Sequence, residues 1–334
     1  VMATPIPELI GSPLPAISVI LPVLNEESHL EGAVLSVLSQ DYRGPLEIIL
    51  ALGPSRDRTN EIATKLASHD NRVKLLDSPT GKTAAGLNLA LAASKSPVIV
   101  RVDGHAQIPK NYISLIVEIL NKTGAVNVGG VMAAVGTTAF ERAVAGAMRS
   151  PLGVGASRFH TGGEAGEVDT VYLGAFRREA LVAIGGFDER FTRAQDWELN
   201  FRLRENGGVI YFDPRLHVTY RPRSSVGALA KQYFEYGRWR RVVSRRHSGT
   251  INYRYLAPPF ALLGFSASLV LGIALSSIFF IPALVYLLFV VLASLKISTS
   301  IREYLLLLLV IPTMHFAWGA GFISSPKTLV PASQ

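Results

Sequence analysis

From Leu256 to Ile323 the chain is almost unbroken apolar sequence, interrupted by Lys296, Arg302 and Glu303. The block divides at Ser276-Ser277 and again around Lys296 into stretches at about 256 to 276, 279 to 295 and 303 to 323. Each is close to the ~17 to 25 residues that a bilayer crossing requires. A buried helical hairpin is the alternative, and three successive stretches argue against it. Residues 17 to 250 read as ordinary globular sequence, so the 49% hydrophobic content of the 334 residues is an excess gathered at one end. The pattern predicts a soluble catalytic or binding domain followed by a membrane tail.

Charge supports that division. Lys and Arg number 33 against 25 Asp and Glu, a formal +8. Much of the excess stands just before the apolar block, in Arg238, Arg240, Arg241, Arg245, Arg246 and Arg254. Basic residues collect on the cytoplasmic side of spans and meet anionic lipid there, which explains the excess better than nucleic acid does. The expected location is a cell (inner or plasma) membrane, with the globular part cytoplasmic and the C-terminus outside. Val1 to Pro15 lacks the basic and apolar run of a signal peptide, consistent with that sidedness. Between the two parts, Val226 to His247 sets Leu229, Tyr233, Tyr236 and Trp239 against Lys231, Arg238, Arg240 and Arg241, the pattern of an amphipathic helix in the headgroup layer. The absence of cysteine excludes disulfides, thiolate metal sites and a Cys nucleophile.

The first half alternates strand and helix signals. Strands are expected at Ile17 to Val23, Leu46 to Ala51, Val73 to Leu76, just before Asp103, and at Ala125 to Val128. Helices are expected at Glu26 to Leu38 with Asn25 as cap, at about Arg58 to Ser68, at Ala84 to Ala93 and at Pro109 to Asn121. This repetition implies a mainly parallel sheet covered by helices on both faces. Residues 129 to 170, studded with glycine, read equally as a mobile substrate loop or an irregular connector. Further on, a helix opens at Gln195, and short strands are expected at Val209 to Phe212 and His217 to Tyr220.

Pro97 to His105 carries the chemistry: a buried strand delivers Asp103 and, two residues later, His105. Ligands of open α/β sheets bind beyond the carboxyl ends of the strands, and carboxylate plus imidazole suits Mn²⁺ or Mg²⁺ on phosphate oxygens. A turn or cap role for Asp103 alone is equally good, and His105 in phase tips the balance. Asn25 and Glu26 stand at the edge where a nucleotide would lie, and a cap with an acidic first turn explains them without a ligand. Lys82 and Asn88 face the same crevice from the Ala84 helix. Asp196, between Gln195 and Trp197, reads as a helix cap or as a general base, and position alone does not decide. No Gly-x-Gly-x-x-Gly follows the first strand, which disfavours a dinucleotide dehydrogenase.

Taken in order, Ile20 to Glu27, Gly81 to Ala93, Val102 to His105, Gly185 to Glu189, Gln195 to Glu198 and Tyr236 to Trp239 resemble family 2 glycosyltransferases of GT-A fold, and among them the membrane-anchored succinoglycan-biosynthesis (ExoA-like) type, over roughly residues 17 to 260. The resemblance implies that Pro22, Asn25, Glu26 and Asp57 border the nucleotide and that Lys82 and Asn88 approach its ribose or diphosphate. It implies Asp103 and His105 as metal ligands, Asp103 also against the donor, Asp196 as catalytic base, and Gln195, Arg238 and Trp239 over acceptor and diphosphate. Three positions depart from the family pattern. Ala51 to Ser55 replaces the acidic pair after the second strand, His105 replaces the second metal Asp, and Glu235 stands at the Gln of the Arg-Trp element, with Gln232 one turn earlier.

The expected organisation is an N-terminal extension (1–16), a GT-A glycosyltransferase domain (17–225), an amphipathic interfacial segment (226–255), three transmembrane helices (256–323) and a tail (324–334). The expected activity is inverting transfer from a nucleotide-sugar donor to a lipid-linked (polyprenyl) glycan acceptor, with a divalent cation (Mn²⁺ or Mg²⁺), membrane lipid as a partner and no nucleic acid. Association through the spans stays open. The alternatives are a non-catalytic sugar-nucleotide binding or assembly protein and a processive polysaccharide synthase.

Overall fold

The computed structural model describes residues 14–251 and 253–330. The chain forms two compact units, one from the chain up to Ala133 with Gly162–Tyr220, the other from Ala134–Thr161 with the chain from Arg221 onward.

In the first unit, β-branched residues dominate β1 (Ile17–Val23) and β4 (Val98–Arg101), and the other strands are β2 (Leu46–Leu52), β3 (Val73–Asp77), β5 (Asn127–Ala134), β6 (Gly166–Glu167), β7 (Tyr172–Arg177) and β8 (Ile210–Tyr220). They make one eight-stranded sheet in the order β3-β2-β1-β4-β7-β5-β8-β6. β1 runs parallel to β2 and β4, and β2 parallel to β3, as the alternation of strand and helix requires. β7 then enters antiparallel between β4 and β5, and β6 pairs antiparallel with β8, so the sheet is mixed. Alternation along the strands feeds two cores. Val19, Leu21, Val98, Val100 and Val102 pack with the helices Leu30–Leu38 and Tyr112–Thr123, whereas Ile20, Ile49 and Ile99 pack with Thr83–Ala93 and Gln195–Glu205. Gly86 lets the Thr83–Ala93 helix sit close on β1 and β2, since a Cβ there would lie 3.3 Å from Ala51 Cβ and 3.6 Å from Pro22 Cβ.

Three local expectations are corrected. Asn25 does not cap the first helix: that helix begins at Leu30 after His29, and Asn25 has a left-handed backbone (φ 56°). The glycine-rich stretch holds regular structure, because β5 runs to Ala134 and a capping box of Thr138 and Glu141 starts the helix Ala139–Met148. The two short strands expected after residue 208 are one continuous β8.

The second unit holds three helices long and apolar enough to cross a membrane, Tyr253–Ala274, the Ser277–Ile297 stretch and Ile301–Ser324, with mean hydropathy of 1.8, 2.7 and 1.8. The helix Val226–Arg246 packs along Ile301–Ser324 through glycine on each side. A Cβ on Gly237 would lie 2.0 Å from Trp318 O, and one on Gly321 would lie 2.0 Å from Phe234 O, so backbone meets backbone at both points. Leu229, Tyr233 and Trp239 of this helix are buried, but Tyr236 of the expected apolar set is exposed and some of the basic residues turn inward. Arg240 is buried with its guanidinium 3.7 Å from the Tyr255 ring centroid, and Arg241 stands 5.0 Å from that of Phe322.

Candidate active site

The crevice beyond β1, β2 and β4 is built from two clusters of polar side chains. At the tips of β1 and β2 two loops interlock. Asn25 N donates to Ser55 Oγ (3.0 Å), Glu26 N to Thr59 Oγ1 (2.7 Å) and Glu27 N to Asp57 Oδ2 (3.3 Å). In return Arg56 N donates to Asn25 Oδ1 (2.8 Å) and Arg58 N to Glu27 Oε2 (3.0 Å). Asp57 also accepts from the Thr59 hydroxyl (2.5 Å) and amide (3.1 Å), and these hydrogen bonds, the hydroxyl's first, hold its carboxyl below the usual range. Where the family pattern has acidic residues after β2, Gly53 N donates to Val23 O (2.8 Å), and a Cβ on Gly53 would meet Gly81 Cα at 3.0 Å. That tip is closed by small residues and by Leu24.

At the tip of β4 the arrangement differs. Arg101, its side chain only 5% exposed, donates through Nε to Asp103 Oδ1 (3.0 Å), with Nη2 also 3.0 Å from that oxygen, and through Nη1 to Asp196 Oδ1. The Asp103 and Asp196 side chains stay 19% and 30% exposed, so both keep an accessible edge while sharing one guanidinium. Burial works against the Arg101 charge, but Asp103 and Asp196 outweigh it and raise its pKa. Burial pushes the Asp196 carboxyl up, Arg101 opposes this and Asp103 adds to it, leaving it at about 6. Arg101 was not singled out from the sequence; the signal was a lone charge inside an otherwise aliphatic strand.

Of the remaining predicted residues, His105 Nδ1 lies 2.7 Å from Glu26 Oε1, which ties the β1 and β4 tips together. Lys82 is exposed at the N-terminus of Thr83–Ala93. Pro22, partly buried, pairs in register with Ala51 on the way to the crevice. Asn88 is drawn elsewhere: its amide donates to Phe187 O (2.8 Å) and Glu189 Oε1 (3.0 Å), and its oxygen accepts from Phe187 N (2.8 Å). Asn88 thereby pins the Gly185-Gly186 turn, where both glycines have positive φ, ahead of the Asp196 helix. Gln195 is buried in the first turn of that helix. Arg238 and Trp239 belong to the second unit, where Arg238 Nη1 donates to Glu235 Oε1 (2.8 Å) and Trp239 is buried. Among the described residues no three His, Asp or Glu side chains gather into a metal cage.

A mixed, mainly parallel sheet with carboxylates at its strand tips, followed in the chain by apolar helices, accords with a GT-A fold. The chain belongs to glycosyl transferase family 2, whose model matches residues 18–185, and it is a glycosyltransferase. It is 34% identical over 242 residues to the succinoglycan biosynthesis protein ExoA of Rhizobium meliloti, covering 72% of this chain and 73% of that protein. It is 24% identical over 320 residues, 92% of this chain and 95% of the relative, to a dolichyl N-acetyl-alpha-D-glucosaminyl phosphate 3-beta-D-2,3-diacetamido-2,3-dideoxy-beta-D-glucuronosyltransferase of Methanococcus voltae. Its fold is that of the mannosyltransferase PcManGT of Pyrobaculum calidifontis, solved with GDP-Man and Mn²⁺, at a TM-score of 0.66 and 21% identity over 92% of this chain and 86% of that one. Of the longer Staphylococcus aureus TarS chain it spans 42%, at a TM-score of 0.51 and 17% identity over 74% of its own length.

Proposed function

We propose that this glycosyltransferase acts with inversion at a membrane, moving a sugar from a nucleotide-sugar donor to a lipid-linked (polyprenyl) glycan during cell-envelope or extracellular polysaccharide synthesis. The observation that carries the reading is the pair of accessible carboxylates, Asp103 and Asp196, held on one buried guanidinium at a parallel strand tip. Asp103 addresses the donor diphosphate, and Asp196 takes the acceptor hydroxyl proton. As that proton leaves, the acceptor oxygen forms its bond to the anomeric carbon from the face opposite the departing phosphate oxygen. The nucleoside diphosphate keeps the electron pair of the broken bond. A carboxylate with pKa near 6 is ionised at neutral pH yet basic enough to assist, which suits the role.

Asp103 and His105 would hold a divalent cation, a carboxylate and an imidazole being donors that Mn²⁺ or Mg²⁺ accepts beside phosphate oxygens. Such an ion supplies neutralisation of the leaving diphosphate. Around it, Pro22, Asn25, Glu26 and Asp57 border the nucleotide and Lys82 offers a cation to phosphate. Gln195, Arg238 and Trp239 serve acceptor and diphosphate, and Asn88 acts through the turn it pins. Residues 17–225 act as the catalytic domain, 226–255 as the interfacial segment and 256–323 as the anchor, with the catalytic part cytoplasmic because the arginine cluster precedes the first span. Supporting this reading are the donor and Mn²⁺ named for the Pyrobaculum protein, the dolichyl phosphate substrate named for the Methanococcus relative and the polysaccharide named for the Rhizobium one.

The test is release of nucleoside diphosphate by the full-length protein in lipid nanodiscs, across UDP- and GDP-sugars and polyprenyl-linked acceptors, with and without Mn²⁺. One donor should give acceptor-dependent release that stops in chelator. Release that is undiminished in chelator would overturn the metal assignment, and a product of opposite stereochemistry would overturn inversion.

A further inference from the structure

Strand parity places a charge where the core calls for an aliphatic side chain. Along β4, Val98 and Val100 enter one core and Ile99 the other, so Arg101 follows Ile99, and Asp103 stands two residues past it. On that face Leu199 and Leu203 seat the helix Gln195–Glu205 in the same core as Ile99, which brings the first-turn Asp196 over the guanidinium from 95 residues away. The fork is used in two directions, Nε and Nη2 toward Asp103 and Nη1 toward Asp196.

We propose that Arg101 is a positioning residue of the transfer reaction: its single guanidinium fixes the spacing between the carboxylate that addresses the donor and the carboxylate that takes the acceptor proton. A planar fork reaches two carboxylates in fixed directions, whereas an ammonium on a flexible stem reaches one at a time. Because the two acids come from distant parts of the chain, no local turn sets their separation, and Arg101 is the side chain that touches both. The inference rests on Asp196 being the base.

The discriminating variant is Arg101→Lys in the full-length protein in nanodiscs, which keeps the charge and gives up the simultaneous reach. Turnover, donor KM, nucleoside-diphosphate affinity by calorimetry and Tm are measured for R101K, for D196N and for the double variant. R101K should keep its Tm and its nucleotide affinity while kcat falls about a hundredfold, the scale on which a misplacement of ~1 Å acts. In the D196N background the same change should lower the residual rate no further. Wild-type kcat in R101K, or an equal loss with and without Asp196, overturns the proposal, as does a loss confined to donor KM. Should R101K fail to fold, Arg101→Gln tests the same coupling to Asp196 without the charge control. Full turnover in D196N would instead remove the assignment of the base, an outcome distinct from failure of the Arg101 role.

Discussion

The two acidic clusters of the crevice, a few residues past the ends of neighbouring strands, are put to different uses. At the tips of β1 and β2 the carboxylates of Glu27 and Asp57 accept backbone N–H groups of the facing loop, so the charge is consumed in joining two turns. At the tip of β4 Asp103 and Asp196 share one buried cation and keep an accessible edge. A carboxylate that accepts a neighbouring hydroxyl and backbone amides is lowered in basicity and anchored, as Asp57 is. One that is partly desolvated and held from one side stays raised in basicity and open to a ligand, as Asp196 is. The partners of an acid, more than its place at a strand end, separate architecture from chemistry.

The contrast is sharpest in turnover. Asp196→Asn should lower kcat by about 10²- to 10⁴-fold, the range for loss of a general base, while the far-ultraviolet spectrum and Tm are unchanged. Asp103→Ala should also abolish measurable transfer, and it should weaken Mn²⁺-dependent nucleotide binding, which Asp196→Asn should not. An intermediate effect is expected from acidification: kcat/KM should fall as pH drops through about 6, where Asp196 takes up its proton. The sign for stability is opposite. The folded carboxyl binds its proton more tightly than the ordinary value of 3.8, so this group favours the folded state at low pH and that contribution is lost as pH rises through about 6. A rate that is flat to pH 4 would break the comparison. Asn88→Ala removes three hydrogen bonds to the 187–189 turn and should cost about 1 to 3 kcal/mol in denaturant titration, with a secondary drop in kcat from a loosened Asp196 helix. Smallest of all, Glu27→Gln keeps an acceptor for Arg58 N and should leave turnover within about twofold, because its carboxylate belongs to the loop interlock.

Much of this was legible in the sequence because it is written locally. β1 to β4, the helices between them and the three apolar stretches follow from period and length, and Asp103 and Asp196 stand out as acids at element boundaries. What escaped depends on partners far along the chain. Asn25 has the composition of a helix cap, yet the facing 55–59 loop offers its side chain a better donor in Arg56 N, and the helix starts four residues later than expected. Asn88 was aimed at the crevice by its place on the helix, but a turn 99 residues away satisfies both ends of its amide. Residues 129 to 170 were judged by glycine content, whereas Gly136 and Gly153 sit against backbone, where a Cβ would lie 2.3 Å from Arg142 N and 2.2 Å from Ala147 O. At those two positions glycine marks tight packing.

The glycine contacts between Val226–Arg246 and Ile301–Ser324 change what the last hydrophobic helix is for. With no side chain between the two backbones at Gly237 and Gly321, the joint is a mortise and not a greased face, and a single added methyl group would wedge it open. A chain truncated ahead of Ile301 would therefore leave the arginine-bearing helix without its wall. The last apolar helix is a structural member of the unit it belongs to, and removing it would expose the backbone face that Val226–Arg246 packs against.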